Sequence, residues 1–474
     1  MDLQTLTIKK ARKLLDTQKI TAVDLAQAYL DEITKRNTEL NVYLEVYDDV
    51  LEQAQKADGM IARGESHPLL GIPLAIKDNI LIKGRKVTAA SKILENYVAP
   101  YDATAISKLK SQGAVFLGRV NMDEFAMGGS TENSAYGVTK NSHDTSRVAG
   151  GSSGGSAVAV SAHLALGAFG SDTGGSVRQP SAFSGVVGFK PTYGSVSRHG
   201  LMAMGSSLDV IGPIGKTVED TEILFNAIKG IDPLDSTTIF NDASISYELK
   251  AKSFTIGVPW DLINQKGVDE SVKENFKTSV KKFEDLGFSI QDISLPSIGL
   301  GLAIYYILMP AEVSSNLARF DGVKYGLHVD GKDLFEDYFL TKGQGFGPEV
   351  RRRILLGTYV LSSGYYDAYY GKAQTARQIL KKEFDRAFES VDFILTPTTP
   401  SIAWKIGEKS DPLSAYLADV FTVTANIVGI PAISLPSGFV SVGGKDLPLG
   451  IQLMAPYNTD NQLFEVSKKF LNEV

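Results

Sequence analysis

Between Gly128 and Gly215 the chain carries glycine and serine at a density that element interiors do not tolerate cheaply. The core of this stretch reads VAGGSSGGSAVAV over 148–160 and GAFGSDTGGSVRQPSAFSG over 167–185. A glycine inside a helix or strand costs roughly 0.5–1 kcal/mol relative to alanine. Glycine that persists at this density marks backbone that must approach something closely, or take dihedrals that other residues refuse.

The surrounding sequence indicates the scaffold that carries such a segment. Residues 3–36 read as helix with a break near Thr21, where Thr21 and Asp24 form a variant of the capping box. From Pro68 the texture changes to short apolar runs, Leu69–Pro73 and Leu74–Ile76, typical of buried strands. Residues 102–112 read as an amphipathic helix stopped by Gly113, with a strand at Ala114–Leu117. The alternation returns at Phe254–Pro259, Val272–Leu286 and Phe288–Ile293. Helical texture fills 302–390, and strand-like runs come back at Phe393–Leu395, Ala432–Leu435 and Gly450–Met454. This pattern predicts an α/β protein with a large, largely buried mixed sheet flanked by helices on both faces. No repeat and no linker divides it, so one domain over 1–474 is expected, with a mainly helical 1–60 and a core of motifs at 61–215.

Composition narrows the function classes. Lys and Arg number 48 against 54 Asp and Glu, a net charge of −6 that offers no basic footprint for nucleic acid. The chain has no cysteine, which removes disulfides, thiolate-held metals and a cysteine nucleophile together. The start, MDLQTLTIKK, lacks the apolar region of a secretory signal, so a cytoplasmic location is expected.

Several chemistries compete for the glycine segment. A phosphate loop needs Lys after its glycines, and the dinucleotide fingerprint needs G-x-G-x-x-G; neither spacing is present. A nucleophile elbow, G-x-S-x-G, matches at Gly150–Gly154 around Ser152 and at Gly151–Gly155 around Ser153. His163, His199 and His328 follow, but none in a recognisable catalytic context. A structural turn packed with small residues is the plain alternative. The run Asp172-Thr173-Gly174-Gly175-Ser176 adds a different possibility. Backbone N–H groups in a glycine-rich turn can converge on an oxyanion, with Ser176 placed to attack the carbonyl held there. That serine needs a base, and the unusual residue upstream is Lys77, alone at the end of GIPLAIK. A strand-end lysine reaching out to water is the competing reading of Lys77.

Taken together, GIPLAIKDN, GGSSGGS and GSDTGGSVRQP resemble the amidase signature family, whose catalytic triad is Ser–cis-Ser–Lys. The segments RVNMDEFAMGGSTENSAYG, GFKPTYGSVSRHGL, SSNLARFDGVKYG, SSGYYDAYYGKAQ and NIVGIPAISLPSG extend the resemblance along most of the chain. They look like the branch that supplies ammonia within tRNA-dependent amidotransferases. One departure is Thr88-Ala89-Ala90-Ser91, where family members often carry T-C-x-S.

The resemblance implies that Ser176 is the nucleophile, that Ser152 after a cis peptide at Gly151–Ser152 bridges to Lys77, and that neutral Lys77 is the base. For that role a lysine must lose roughly three pKa units through burial. Backbone N–H groups of Thr173, Gly174 and Gly175 are the implied oxyanion donors. Arg353 is assigned the α-carboxylate of glutamine, and Asp419 the α-ammonium with one hydroxyl of Tyr305 or Tyr306. The competing reading of Arg353 is a solvated helix face. Ser153 and Ser156 are expected to make local turn contacts, and Asp172 and Arg178 a structural pair. The resemblance further implies no cofactor or metal in this chain. Its partners would be a B subunit that uses ATP and Mg²⁺ on Glu-tRNA(Gln) and a small C subunit, with Asp-tRNA(Asn) left open as a further substrate. A stand-alone amidase and an inactive scaffold are the competing functions.

Overall fold

The computed structural model describes residues 1–240, 254–409 and 411–473. Eleven strands form one sheet: β1 Tyr43–Val46, β2 Pro73–Lys77, β3 Val115–Val120, β4 Gly167–Asp172, β5 Val187–Lys190, β6 Val210–Gly215, β7 Thr255–Val258, β8 Ser289–Asp292, β9 Phe393–Pro397, β10 Ala432–Val442 and β11 Lys445–Met454. Their order across the sheet is β1-β3-β2-β4-β6-β5-β10-β11-β9-β7-β8. It is mixed, as the sequence pattern predicts: β2 runs parallel to β3 and β4, and β7 parallel to β8 and β9. The neighbours β4–β6, β5–β6, β10–β5, β10–β11, β11–β9 and β1–β3 are antiparallel.

Every residue of β2, β3, β4, β5, β6 and β9 is buried. Because successive strand side chains point to opposite faces, uninterrupted burial means that both faces of the central sheet are covered. The edge strands β1 and β8 lose this character. The β10–β11 pair extends past the sequence-read runs into an exposed ribbon ending at Val442 and Lys445, where paired backbone rather than apolar side chains maintains the strands.

The N-terminal helices are Ile8–Asp16 and Ala22–Leu40, and the reciprocal Thr21–Asp24 capping box is formed. The helical region after residue 300 divides into Gly301–Asn316, Leu334–Gly345, Pro348–Leu361 and Lys372–Ala387. The segment Ile298–Arg319 is apolar and long enough to cross a membrane, but it is half-buried inside the protein. Gly301–Asn316 packs against Pro348–Leu361. The helices approach closely at Gly357, where a Cβ would stand 1.8 Å from the Pro310 carbonyl oxygen. That crossing brings Tyr306 and Arg353 face to face.

β2 and β4 are parallel neighbours, so Lys77 and Ser171–Asp172 emerge at the same, carboxyl-terminal edge of the sheet. Crevices at that edge are where open α/β sheets place ligands.

Candidate active site

Lys77 ends β2 with no solvent exposure, which excludes the water-seeking reading. Its Nζ lies 2.7 Å from Ser152 Oγ, 2.8 Å from Ser153 Oγ and 2.9 Å from Ser171 Oγ. Burial draws the amine down to about 7, against the opposing pull of Asp123, Asp172 and Asp209. A lysine in this setting exchanges its proton near neutrality. The proton traffic around it is directional. Ser153 Oγ–H donates to the Ser171 carbonyl at 3.1 Å, and Ser171 Oγ accepts from Asn79 Nδ2 at 2.9 Å. Both hydroxyl oxygens can accept N–H from Lys77. A neutral amine that donates its two hydrogens to them turns its lone pair to Ser152.

Ser152 sits on the turn 150–153, with a cis peptide at Gly151–Ser152. The turn is held from outside. Gly151 N–H donates to Gln179 Oε1 at 2.8 Å, and Asp123 N–H donates to the Ser152 carbonyl at 3.2 Å. The helix Gly154–Ser161 starts directly after it.

Ser176 lies on the second turn, which is wound around the Asp172 carboxylate. Asp172 accepts from Gly175 N–H at 2.9 Å, Val177 N–H at 3.1 Å and, on its two oxygens, the Nε and Nη2 of Arg178. Arg178 also donates to the Thr422 carbonyl and to Gln452. Burial works against charge on Asp172, but Arg178 holds its carboxyl well below the usual carboxylate range. Gly175 has φ +132°, and a Cβ there would meet Thr422 Oγ1 at 2.3 Å, so this position demands glycine. Ser153 N–H donates to the Ser176 carbonyl at 3.1 Å and locks the two turns together. Ser176 is 8% exposed, and its Oγ makes no hydrogen bond among the described residues. Of the three expected oxyanion donors, Gly175 N–H is committed to Asp172, because the carboxylate shapes the turn from within.

Three of the residues to which the resemblance assigns glutamine binding, Tyr306, Arg353 and Asp419, line an adjoining cavity of about 300 Å³ together with Gly129, Tyr416 and others. Arg351 and Arg352 are exposed while Arg353 is 3% exposed, so the solvated-face reading fails for Arg353 alone. Its guanidinium lies 5.4 Å from the Tyr306 ring centre and 5.3 Å from that of Tyr416, and its Nε donates to Glu349 Oε1 at 2.8 Å. Tyr306 Oη donates to Asp419 Oδ2 at 2.8 Å. Burial pushes the Asp419 carboxyl up to about 7, with Tyr306 and Arg353 opposing. Tyr305 points elsewhere: its ring lies over Gly174, where a Cβ would stand 2.7 Å from Cζ. Gln179 links cavity to turn, donating to the Gly129 carbonyl at 2.7 Å while accepting from Gly151.

Among the described residues no hydrogen bond joins His163, His199 or His328 to Ser152 or Ser153, and His163 lies beside Met1, Asp2 and Arg36. His199 stacks on Tyr101, and His328 faces Asp330 at the surface. The sequence profile described as Amidase matches residues 24–464. The chain belongs to the amidase family. Among its relatives, the A subunit of glutamyl-tRNA(Gln) amidotransferase of Desulfatibacillum aliphaticivorans is 49% identical, over 99% of this chain and 97% of its own. The protein of the same name from Ruminiclostridium cellulolyticum is 50% identical, with coverages of 99% and 97%. The crystal structure of the A subunit of glutamyl-tRNA(Gln) amidotransferase from Thermotoga maritima superposes with a TM-score of 0.81 at 41% identity, covering 99% of this chain and 95% of that one. The peptide amidase PAM, solved with the inhibitor chymostatin, gives 0.84 at 26% identity, with coverages of 100% and 98%.

Within this amidase site, sequence reasoning passed over several residues. Ser153 reaches Lys77 instead of serving only its own turn, and Ser156, on the following helix, donates across to the Phe169 carbonyl of β4 at 3.1 Å rather than within the turn. Ser171 and Asn79 lie inside the quoted motifs, but linear sequence does not show that parallel pairing of β2 with β4 sets Ser171 against the Lys77 amine with Asn79 bonded to it. Glu349 was legible in principle, since it stands four residues before Arg353 on one helix face. Tyr416, whose Oη donates to Glu349 Oε1 at 2.6 Å, gives no such signal.

Proposed function

We propose that this chain is the glutamine-hydrolysing subunit of a tRNA-dependent amidotransferase, working through Ser176, Ser152 and Lys77. The observation that carries the reading is the fully buried Lys77, poised near neutrality against Ser152, beside a cavity of amino-acid size that pairs a guanidinium with a carboxylate. Neutral Lys77 accepts the Ser152 proton as Ser152 takes that of Ser176, and Ser176 Oγ adds to the glutamine side-chain carbonyl. Catalytic contacts of this kind commonly tighten only with substrate bound. N–H groups of Thr173 and Gly174 face the developing oxyanion. The lysine proton returns through Ser152 to the leaving nitrogen, ammonia departs, and a glutamyl ester remains on Ser176. Water, deprotonated by the same relay, then releases glutamate.

Arg353, with its Nε edge held by Glu349, offers its Nη atoms to the α-carboxylate. Asp419 and Tyr306 receive the α-ammonium, and Tyr305 packs on the oxyanion turn. The names of the relatives support a place in an amidotransferase complex. In it, a B subunit uses ATP and Mg²⁺ to activate Glu-tRNA(Gln), a C subunit completes the assembly in the cytoplasm, and this chain needs no cofactor of its own. The test is amide transfer by the reconstituted complex. Ser176→Ala should abolish glutamine-dependent formation of Gln-tRNA and leave ammonia-dependent formation intact. Full glutamine-dependent activity in that variant contradicts the proposal.

A further inference from the structure

Thr88-Ala89-Ala90-Ser91, the stretch that departs from the family's usual T-C-x-S, contributes no residue to the cavity wall. Its hydrogen bonds run instead to two buried carboxylates. Thr88 serves Asp78, and the Ser91 hydroxyl lies between Glu124 Oε1 and the Gly345 carbonyl. Glu124, 2% exposed, receives Gly347 N–H on both oxygens, at 3.1 and 2.8 Å. Gly347 is the residue from which the helix Pro348–Leu361 starts, and it has no side chain to cap that helix. The carboxylate of Glu124, supplied from another part of the chain, therefore closes the helix start, where the helix dipole also favours negative charge.

Arg353 and its partner Glu349 stand on the first two turns of that helix. At 1.5 Å rise per residue, Arg353 lies about 9 Å along the axis from Gly347. Glu124 also has a fixed relation to the reaction end. The preceding residue, Asp123, donates its N–H to the Ser152 carbonyl. The Asp123 carboxylate collects the N–H groups of Ser130, Thr131 and Asn133, of which Ser130 and Asn133 line the cavity. Two adjacent residues thus tie the relay serine to the helix that carries the guanidinium.

We infer that Glu124, seated by Ser91, is a positioning residue that fixes the distance between Arg353 and the reacting serines, and so the selectivity for an amide bearing an α-carboxylate. The inference rests on the glutaminase reading. It concerns binding geometry, so its effect falls on KM for glutamine and spares amides that never reach Arg353.

The test compares glutamine with a simple aliphatic amide as substrates of the full chain in its complex. Glu124→Ala should raise the glutamine KM about tenfold with kcat nearly unchanged, while the simple amide keeps its kcat/KM within about twofold. Glu124→Gln should restore the glutamine KM, because its Oε1 still accepts from Gly347 and its Nε2 can donate to Ser91 Oγ. An unchanged glutamine KM in Glu124→Ala, an equal loss on both substrates, or no rescue by Glu124→Gln overturns the inference. Should Glu124→Ala not fold, Ser91→Ala decides the matter. It should raise the glutamine KM about threefold, and no rise overturns the inference. Failure of the glutaminase reading looks different: the unmutated chain would then show no preference for glutamine over the simple amide.

Discussion

The proposed reaction end and the proposed recognition end of the site are built by opposite strategies. Lys77, Ser152 and Ser176 lie on backbone that the central sheet positions directly, at adjoining strand ends and two interlocked glycine turns. Their charges are few and internally balanced, with Asp172 and Arg178 neutralising each other beneath the nucleophile. Arg353, Asp419 and Tyr306 come from three helical segments that no strand pairing fixes, and ion pairs and stacked rings hold them in register. On the proposed reading, chemistry is thus anchored at strand ends, whereas specificity sits on helical segments held by side-chain contacts.

Substitutions should separate the two ends. The largest effect is expected at the nucleophile. Ser176→Ala should lower kcat for glutamine and for a simple amide alike by at least ~10³-fold, measured as ammonia release. Loss on only one of them would break the division. Lys77→Met should be nearly as damaging on both substrates. In the proposed mechanism Lys77 works as a base only when neutral, so kcat/KM for a simple amide should fall roughly tenfold per pH unit below about 7, and more steeply for glutamine. With glutamine, Asp419 must also be ionised, and its carboxyl lies near the same value. With a simple amide Asp419 drops out, so an acid limb that persists there reports Lys77, and its absence would assign the limb to recognition.

At the other end, Arg353→Lys should raise the glutamine KM by about 30- to 100-fold, since a point charge replaces a two-pronged donor. The simple amide should be little affected. A smaller effect concerns stability. The Lys77 pKa is lower in the folded protein than in the unfolded chain, so the lysine destabilises the fold fully below about pH 7 and not at all above its unfolded pKa. Relative to the wild type, Lys77→Met should therefore lose about 4 kcal/mol of its stability advantage between pH 6 and pH 11, read by denaturant unfolding. An advantage independent of pH would mean that Lys77 titrates normally.

The same contrast explains what could be read from the sequence. The α/β alternation and the helix breaks at Thr21 and Gly113 are local patterns, and they were legible. Lys77, Ser152 and Ser176 could be singled out as candidates, because each lies in a short motif whose residue types suggest a chemistry, and the structure sets Lys77 against Ser152. Ser171 and Asn79 were hidden because only parallel pairing of β2 with β4 reveals their neighbour. The Gly175 N–H was misjudged because the nearby carboxylate of Asp172, read as a salt-bridge partner alone, also winds the turn. The choice between Tyr305 and Tyr306 required the helix crossing at Gly357. Among the three adjacent arginines, burial alone distinguishes Arg353.

The most direct test of the account is to quench the complex during glutamine turnover and map the modified peptide by mass spectrometry. A glutamyl adduct on Ser176, absent when Lys77 is replaced by Met, is the predicted result. Continued turnover with no adduct on Ser176, or with the adduct on another residue, would contradict it.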